Sequence, residues 1–219
     1  DRFDLTMAAA NYGRSGPVSV GLDAKLRAVI QDAGISPIEP GPAPNPAKVV
    51  LGQHLFFDKI LSGNRDTACS TCHLMSQHTS DGLSVSIGTG AVGGVGPDRQ
   101  LGEGRLLHPR NSPEIFNRGL PQVTTMFWDS RIAASPQSGF VSPASEQLPA
   151  DELDSILAVL AMFPATARDE MRGMPHDFEE QNNELALMDD EDFSGMWAAL
   201  TARLLAVPAE VAQLQDIDA

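Results

Sequence analysis

The sequence predicts a mostly α-helical protein with long irregular loops. Three observations carry this. Apolar residues recur at helical spacing in several short segments. Glycine- and proline-rich stretches separate those segments, with 19 Gly and 16 Pro among 219 residues. No segment has the period-two alternation of a half-buried strand, and there is no internal repeat. The length allows one large domain or two small ones, with ample material for a core.

Residues 1–20 have weak periodicity and read as an irregular arm. In "LDAKLRAVIQDAG" (22–34), Leu22, Leu26, Val29 and Ile30 fall on one helical face, and Gly34 suits the stop. "SPIEPGPAPNP" (36–46) is a stiff, extended tether. "AKVVLGQHLFFD" (47–58) predicts a second helix. Residues 80–112, with "GTGAVGGVGPDRQLGEG" at their centre, form a long loop of the kind that often carries function. "ADELDSILAVLAMF" (150–163) predicts an amphipathic helix with acids in its first turn, ended by Pro164. Residues 176–192 are strongly acidic and read as solvated. "DFSGMWAALTARLLAV" (192–207) predicts a further helix ended by Pro208, with a short one over 208–215.

A net charge of −14 argues against nucleic acid, because phosphate binding needs clustered Lys and Arg. An acidic surface can steer a basic protein partner, although solubility is its commoner role. No run approaches the ~18–20 apolar residues of a membrane span. The chain begins without Met and without a charged-then-apolar leader, so Asp1 is expected near a mature or trimmed start.

Cys69 and Cys72 are the only cysteines, and His73 follows at once. Thiols at i and i+3 can reach two vinyl groups on one porphyrin edge, and the next residue then offers imidazole to the iron. A thioredoxin-like redox pair would use the same spacing, but the βαβ pattern that accompanies it is missing. The motif therefore predicts one covalent haem c with His73 as the proximal iron ligand, and a cytochrome c-like haem domain. Such attachment occurs outside the bacterial cytoplasm, so a periplasmic location is expected.

The second iron face has several candidates. His78 lies too close in sequence to cross the ring plane easily. His108 could fold back across the Gly-rich loop, or hold a backbone carbonyl or haem propionate. His54 and His176 read as surface or packing residues. Met75, Met126, Met162 and Met171 could ligate, but Met more often fills a core. An open or water-bound face is the leading reading.

The blocks "LGQHLFFDKILSGNRDTACSTCH" (51–73), "DGLSVSIGTG" (81–90), "PRNSPEIFN" (109–117) and "FWDSR" (127–131) resemble, in order, the N-terminal half of bacterial di-haem cytochrome c peroxidases and the related MauG proteins. The resemblance implies two regions: an arm, helix and tether over 1–45, and a peroxidatic-haem domain over 46–219. The family's electron-transfer haem sits on a second CxxCH, which this chain lacks. The resemblance therefore implies a second haem domain on a continuation of the chain or on a partner. It further implies a small cytochrome c or cupredoxin as electron donor, and a dimer is a further expectation.

Carried over by residue, Thr89 stands where the family's peroxidases often have a switchable distal His. Thr cannot replace imidazole on iron, so an open face without reductive activation is implied. The family's catalytic acid falls at Glu170 in "ARDEM", followed by Met171, with Glu146 in "SPASEQLP" as the alternative. The family's distal glutamine falls at Leu160, a departure. A surface acid paired with Arg168 or Arg172 is the plainer reading of Glu170. Phe127 would flank the distal pocket, and Trp128 would conduct electrons between haems; both could equally be core aromatics. Asn111 matches a calcium ligand, calcium being a hard ion that accepts amide oxygens. Arg110 and Arg131 are candidates for haem propionates, or for ordinary ion pairs. The implied function is H2O2 reduction with electrons from the second haem. A mono-haem electron-transfer subunit and a MauG-like oxidant of a protein or small molecule are the alternatives.

Overall fold

A computed structural model describes residues 20–144, 146–177 and 182–206. The chain divides into two compact units, 1–40 and 41–219. In the first, helix α1 spans Val20–Asp32. Gly34 follows with φ +63°, the left-handed stop its sequence predicts. The apolar face of α1 is exposed, Leu22 at 67% and Val29 at 61%.

In the second unit, α2 spans Pro46–Phe57. Asn45 caps it, its side-chain oxygen accepting from Ala47 N at 2.9 Å, and Pro46 fills the first helical position where no N–H is needed. A single helical turn, α3, covers Cys69–Cys72. The hairpin β1 (Val92–Gly93) and β2 (Arg99–Gln100) folds up the middle of the Gly-rich loop. A second antiparallel sheet has the order β3 (Thr125–Met126), β4 (Ile132–Ser135), β5 (Gly139–Val141). Next come α4 (Ile156–Ala161), a π-helical turn (Arg168–Arg172), α5 (Asn183–Ala186) and α6 (Phe193–Ala206). Helices are the main regular structure of the described residues, beside small sheets and long irregular segments. Among the described residues, no helix is long and apolar enough to cross a membrane.

Three expectations are corrected. The sequence has no visible strand pattern, yet five strands form among the described residues, because strands of two to four residues are too short for alternation to register. The helix expected over 150–163 is broken. Residues 150–152 make a 3-10 turn, Leu153 is extended, and Ser155 caps a new helix by accepting from Ala158 N at 3.2 Å. A serine that can cap competes with helix continuation at that point. The acidic stretch expected to be solvated buries Asn182, Leu185 and Ala186 completely. The segments expected at 1–19 and 208–215 lie outside the described residues.

One core cluster gathers Met126, Ile132, Ala144, Ile156, Val159 and Phe163 from β3, β4 and α4. Phe163, Phe193 and Trp197 pack edge-on and tilted against it, centroids 5.6–5.9 Å apart. A second cluster joins Ala165, Leu185 and Leu200. Two buried arginines tie α5 and α6 to the rest. Arg172 donates to Leu185 O at 3.1 Å and pairs with Asp190 at 2.7 Å. Arg203 donates to Ile60 O and Ser62 O, both at 2.7 Å, and pairs with Glu184.

Replacing Arg203 with Met leaves two buried carbonyls without that donor. Chemical denaturation of R203M is expected to read about 2–3 kcal/mol of lost stability. A loss below about 0.5 kcal/mol would mean that Arg203 is not what fastens α6 to the segment before α3.

Candidate active site

The site begins at α3. His73 caps the turn, its N–H donating to Cys69 O at 3.0 Å. His78 and Thr79 both take left-handed backbone, φ +54° and +62°, which folds the chain back on itself. Thr79 O is thereby placed 2.9 Å from His73 Nδ1. A carbonyl can only accept, so Nδ1 carries the proton and Nε2 keeps its lone pair for a metal. Ser112 Oγ stands 3.3 Å from the same nitrogen and donates to Cys72 O at 2.7 Å. Burial pushes the Cys69 thiol up, and the Cys72 thiol up to about 12, despite Arg99 nearby. A redox-active CxxC needs the opposite, a thiol of lowered pKa. The two free thiols, the imidazole and its fixed tautomer fit covalent haem c.

The segment 86–90 carries this local site toward the π-helical turn. Ile87 O lies 4.0 Å from Cys72 Sγ. Arg99 donates from Nε to Ile87 O at 3.0 Å and from Nη2 to Gly88 O at 2.5 Å. Thr89 N then donates to Glu170 O at 2.8 Å. Gly88 is required here, since a Cβ on it would stand 2.2 Å from Asp169 O and 2.3 Å from Glu170 O. The turn itself is π-helical because Arg172 N reaches Ala167 O at 2.9 Å and Gly173 N reaches Arg168 O at 3.2 Å, both five residues back. Single π turns are uncommon and concentrate at functional sites.

That turn presents Asp169 and Glu170 to His108. His108 Nδ1 lies 2.9 Å from Asp169 Oδ2 and 3.6 Å from Glu170 Oε1. Burial raises Asp169, but the hydrogen bond and charge of His108 outweigh it and hold the carboxyl below its ordinary range. Glu170 goes the other way, burial pushing it up and the negative Asp169 adding to the effect. The hydrogen bond to Asp169 raises His108. Two adjacent carboxyls are thus driven apart in acidity. Glu170 and Arg131 line a cavity of about 360 Å3 with Arg168, Arg172, Phe163 and Phe193.

The other candidates are dispersed. Phe127 is half-buried with φ +65°, a strained backbone for an aromatic residue, and Arg131 lies 3.6 Å above its ring. Arg131 also pairs with Asp129 at 3.1 Å. Trp128 is 60% exposed and donates to Asn111 O at 2.9 Å. The Asn111 amide nitrogen donates to Leu83 O at 2.5 Å. Arg110 is exposed, its carbonyl accepting from Ser86 N at 3.2 Å. Thr89 is buried, donating to Asp66 Oδ1 at 2.6 Å and accepting from Asn64 at 2.8 Å. Glu146, His54, His78, His176 and Met75 are exposed. Met126, Met162 and Leu160 belong to the first core cluster, and Met171 is buried. Among the described residues, no three His, Cys, Asp or Glu converge as a metal site.

Sequence reasoning missed the pairing of His108 with Asp169, the role of Arg99 and the π turn. The one available signal was the second acid directly before Glu170; no local pattern links it to a histidine 61 residues away.

A family model described as di-haem cytochrome c peroxidase matches residues 46–214. Among curated relatives, the cytochrome-c peroxidase IdrP2 of Pseudomonas sp. (strain SCT) is 31% identical over 120 residues, 52% of this chain and 28% of the relative. The methylamine utilization protein MauG of Methylorubrum extorquens is 33% identical over 126 residues, 58% and 25% of the two chains. The cytochrome c peroxidase Ccp of Escherichia coli is 29% identical over 150 residues, 67% and 29%. The chain thus spans between a quarter and a third of the length of these relatives.

Substituting Gly88 with Ala drives a methyl into two carbonyls of the π turn. Denaturation of G88A is expected to read about 1–3 kcal/mol of lost stability. A methyl on Gly52 in α2 would meet nothing within 4 Å, so G52A is the control; it should gain up to about 1 kcal/mol. Equal effects at the two glycines would contradict the close approach of segment 86–90 to Glu170.

Proposed function

The chain belongs to the di-haem cytochrome c peroxidase family, and on that premise we propose that it is the peroxide-reducing haem domain of a two-haem oxidoreductase. Cys69 and Cys72 are the residues that would hold a haem c covalently, and His73 Nε2, left with its lone pair, would bind its iron. Glu170 would serve as the acid on the other side of that group. The observation that carries this reading is the placement of Glu170: a carboxyl of raised pKa, beside a cavity, on a turn hydrogen-bonded to the segment that adjoins Cys72.

Haem c, when bound, supplies the redox chemistry that cleaves the O–O bond. Reduction of H2O2 to two waters consumes two protons and two electrons. Glu170 relocates a proton that peroxide already carries, and the two consumed protons come from solvent. As carboxylate it takes the proton from the near oxygen of peroxide, and as carboxylic acid it delivers that proton to the leaving oxygen. Burial raises its pKa and so favours the protonated form that the delivery step needs. Arg131, which lies over the Phe127 ring, also lines the cavity beside the acid, and Phe127 is the candidate to flank the distal pocket. Leu160 at the position of the family's glutamine leaves Glu170 without that amide.

The electrons come from a second haem domain outside this chain, fed by a small cytochrome c or cupredoxin in the periplasm. Trp128 suits the conduit, being exposed and anchored through its indole N–H. The Asn111 bond to Leu83 uses the amide nitrogen, so the amide oxygen would be the atom it could offer a calcium ion, whose other ligands would come from elsewhere. Arg110 and Arg131 are the cations for haem propionates. A cytochrome c-like fold over 46–219 follows from the same premise. A second reading, oxidation of a protein or small molecule, draws on the MauG relative and on Thr89 in place of a switchable histidine.

Replacing Glu170 with Gln removes the proton carrier while keeping its shape. Rapid mixing of the haem-loaded full-length protein with H2O2 is expected to be at least about 100-fold slower in E170Q, with haem content unchanged, and unaffected in E146Q. A rate within a few-fold of wild type in E170Q would reject Glu170 as the acid.

A further inference from the structure

The shuttle at Glu170 only relocates a proton that peroxide itself brings, so the two protons consumed in forming two waters must reach the site from outside. The structure holds a candidate for the supply in His108, and the inference rests on the reading of Glu170 as the acid.

His108 is set by its backbone before its ring makes any contact. Its N–H donates to Ser86 O at 3.1 Å, while Ser86 N donates to Arg110 O at 3.2 Å. This two-sided pairing delivers the imidazole to the π turn. There one nitrogen, Nδ1, meets two carboxylates, Asp169 Oδ2 at 2.9 Å and Glu170 Oε1 at 3.6 Å. The charged groups facing the ring are these two acids from the π turn and Arg131 from the loop after β3. The three side chains of the cluster are 19–24% exposed. Water can reach an edge of the cluster while most of it is shielded. A purely structural ion pair needs one carboxylate; here a second, of opposite acidity shift, sits within a small ring rotation of the same proton.

We propose that His108, oriented by Asp169, is the positioning residue that returns protons to Glu170. In the step, the Nδ1–H bond of the imidazolium breaks and an O–H bond forms at Glu170 Oε1. The ring is left neutral, and water from the exposed edge restores its proton. No electron moves. Asp169 stays ionised throughout, since its hydrogen bond with and charge from His108 outweigh the opposing effect of burial. The bond to Asp169 holds the imidazolium to higher pH than an ordinary histidine would keep it. The contribution of the relay is therefore present below that raised value and lost as pH rises through it. Removing the charge of Asp169 moves the loss to lower pH.

The test compares wild type, D169N, H108Q and E170Q as full-length, haem-loaded proteins. One readout needs no turnover: the ring titration of His108, followed by NMR of histidine-labelled protein in the diamagnetic ferrous carbonmonoxide form. The other is the pH profile of the rapid-mixing reaction with H2O2. The His108 ring is expected to titrate above the ordinary histidine value in wild type and lower in D169N, with the alkaline limb of the profile moving alongside it. H108Q is expected to lose that limb and react about tenfold or more slowly at pH 6. The relay is overturned if D169N leaves the ring titration unchanged, or if H108Q keeps both rate and profile while E170Q is slow. A fast E170Q overturns the reading of Glu170 itself, which is a separate result. Should H108Q fail to load haem, the ring titrations of wild type and D169N decide the question alone.

Discussion

The arrangement depends on one close approach, that of Gly88–Gly90 to the π-helical turn. Asp66 holds the segment from one side. Its Oδ1 accepts from Ser62, Thr67 and Thr89 hydroxyls at 2.6–3.2 Å, and its Oδ2 accepts from Gly90 N at 2.6 Å. From the other side, Thr89 N donates to Glu170 O, across a gap that only glycine at 88 permits. Buried groups fully committed in this way are costly to unpair, so the segment and the turn move together or not at all. Because the same segment adjoins Cys72, the haem-binding turn and the acidic pair are held in one frame.

That frame also explains why Thr89 is buried. It bonds Asp66, Asn64 and the π turn at once, and Asn64 continues the network to Asp177 at 2.9 Å and to Asn182 at 2.7 Å. Asn182 in turn donates to Arg172 O at 2.6 Å. A residue with so many partners serves the position of its neighbours. Groups with spare capacity remain beside it: His73 Nε2, opposite the nitrogen that bonds Thr79 O, and the Glu170 carboxyl, which lines the cavity. The buried arginines act in the same sense, spending their donors on carbonyls of the chain rather than on ligands.

What could be read from the sequence follows from how local each feature is. Helices α1, α2 and α6 carry their pattern within a few turns, so they were legible, and Cys69, Cys72 and His73 fall within one turn as their spacing suggests. The strands were not, since two to four residues cannot display a period. Ser155 split a helix that hydropathy alone would run from 150 to 163, because a local cap outcompeted the pattern. Glu170 was reached through family resemblance; nothing in "RDEM" marks it physically. The pairing of His108 with Asp169 stayed hidden because it depends on packing between segments far apart in the chain. Position in the fold, rather than residue type, made these groups a cluster.

The central claim is that His73 takes one iron face while the other stays open above Glu170. The most direct measurement is low-temperature electron paramagnetic resonance of the resting ferric full-length protein. The account predicts a high-spin signal from the haem of this domain, one that fluoride or cyanide perturbs without prior reduction. A spectrum made up only of low-spin signals, as a second histidine or a methionine on the iron would give, would contradict it.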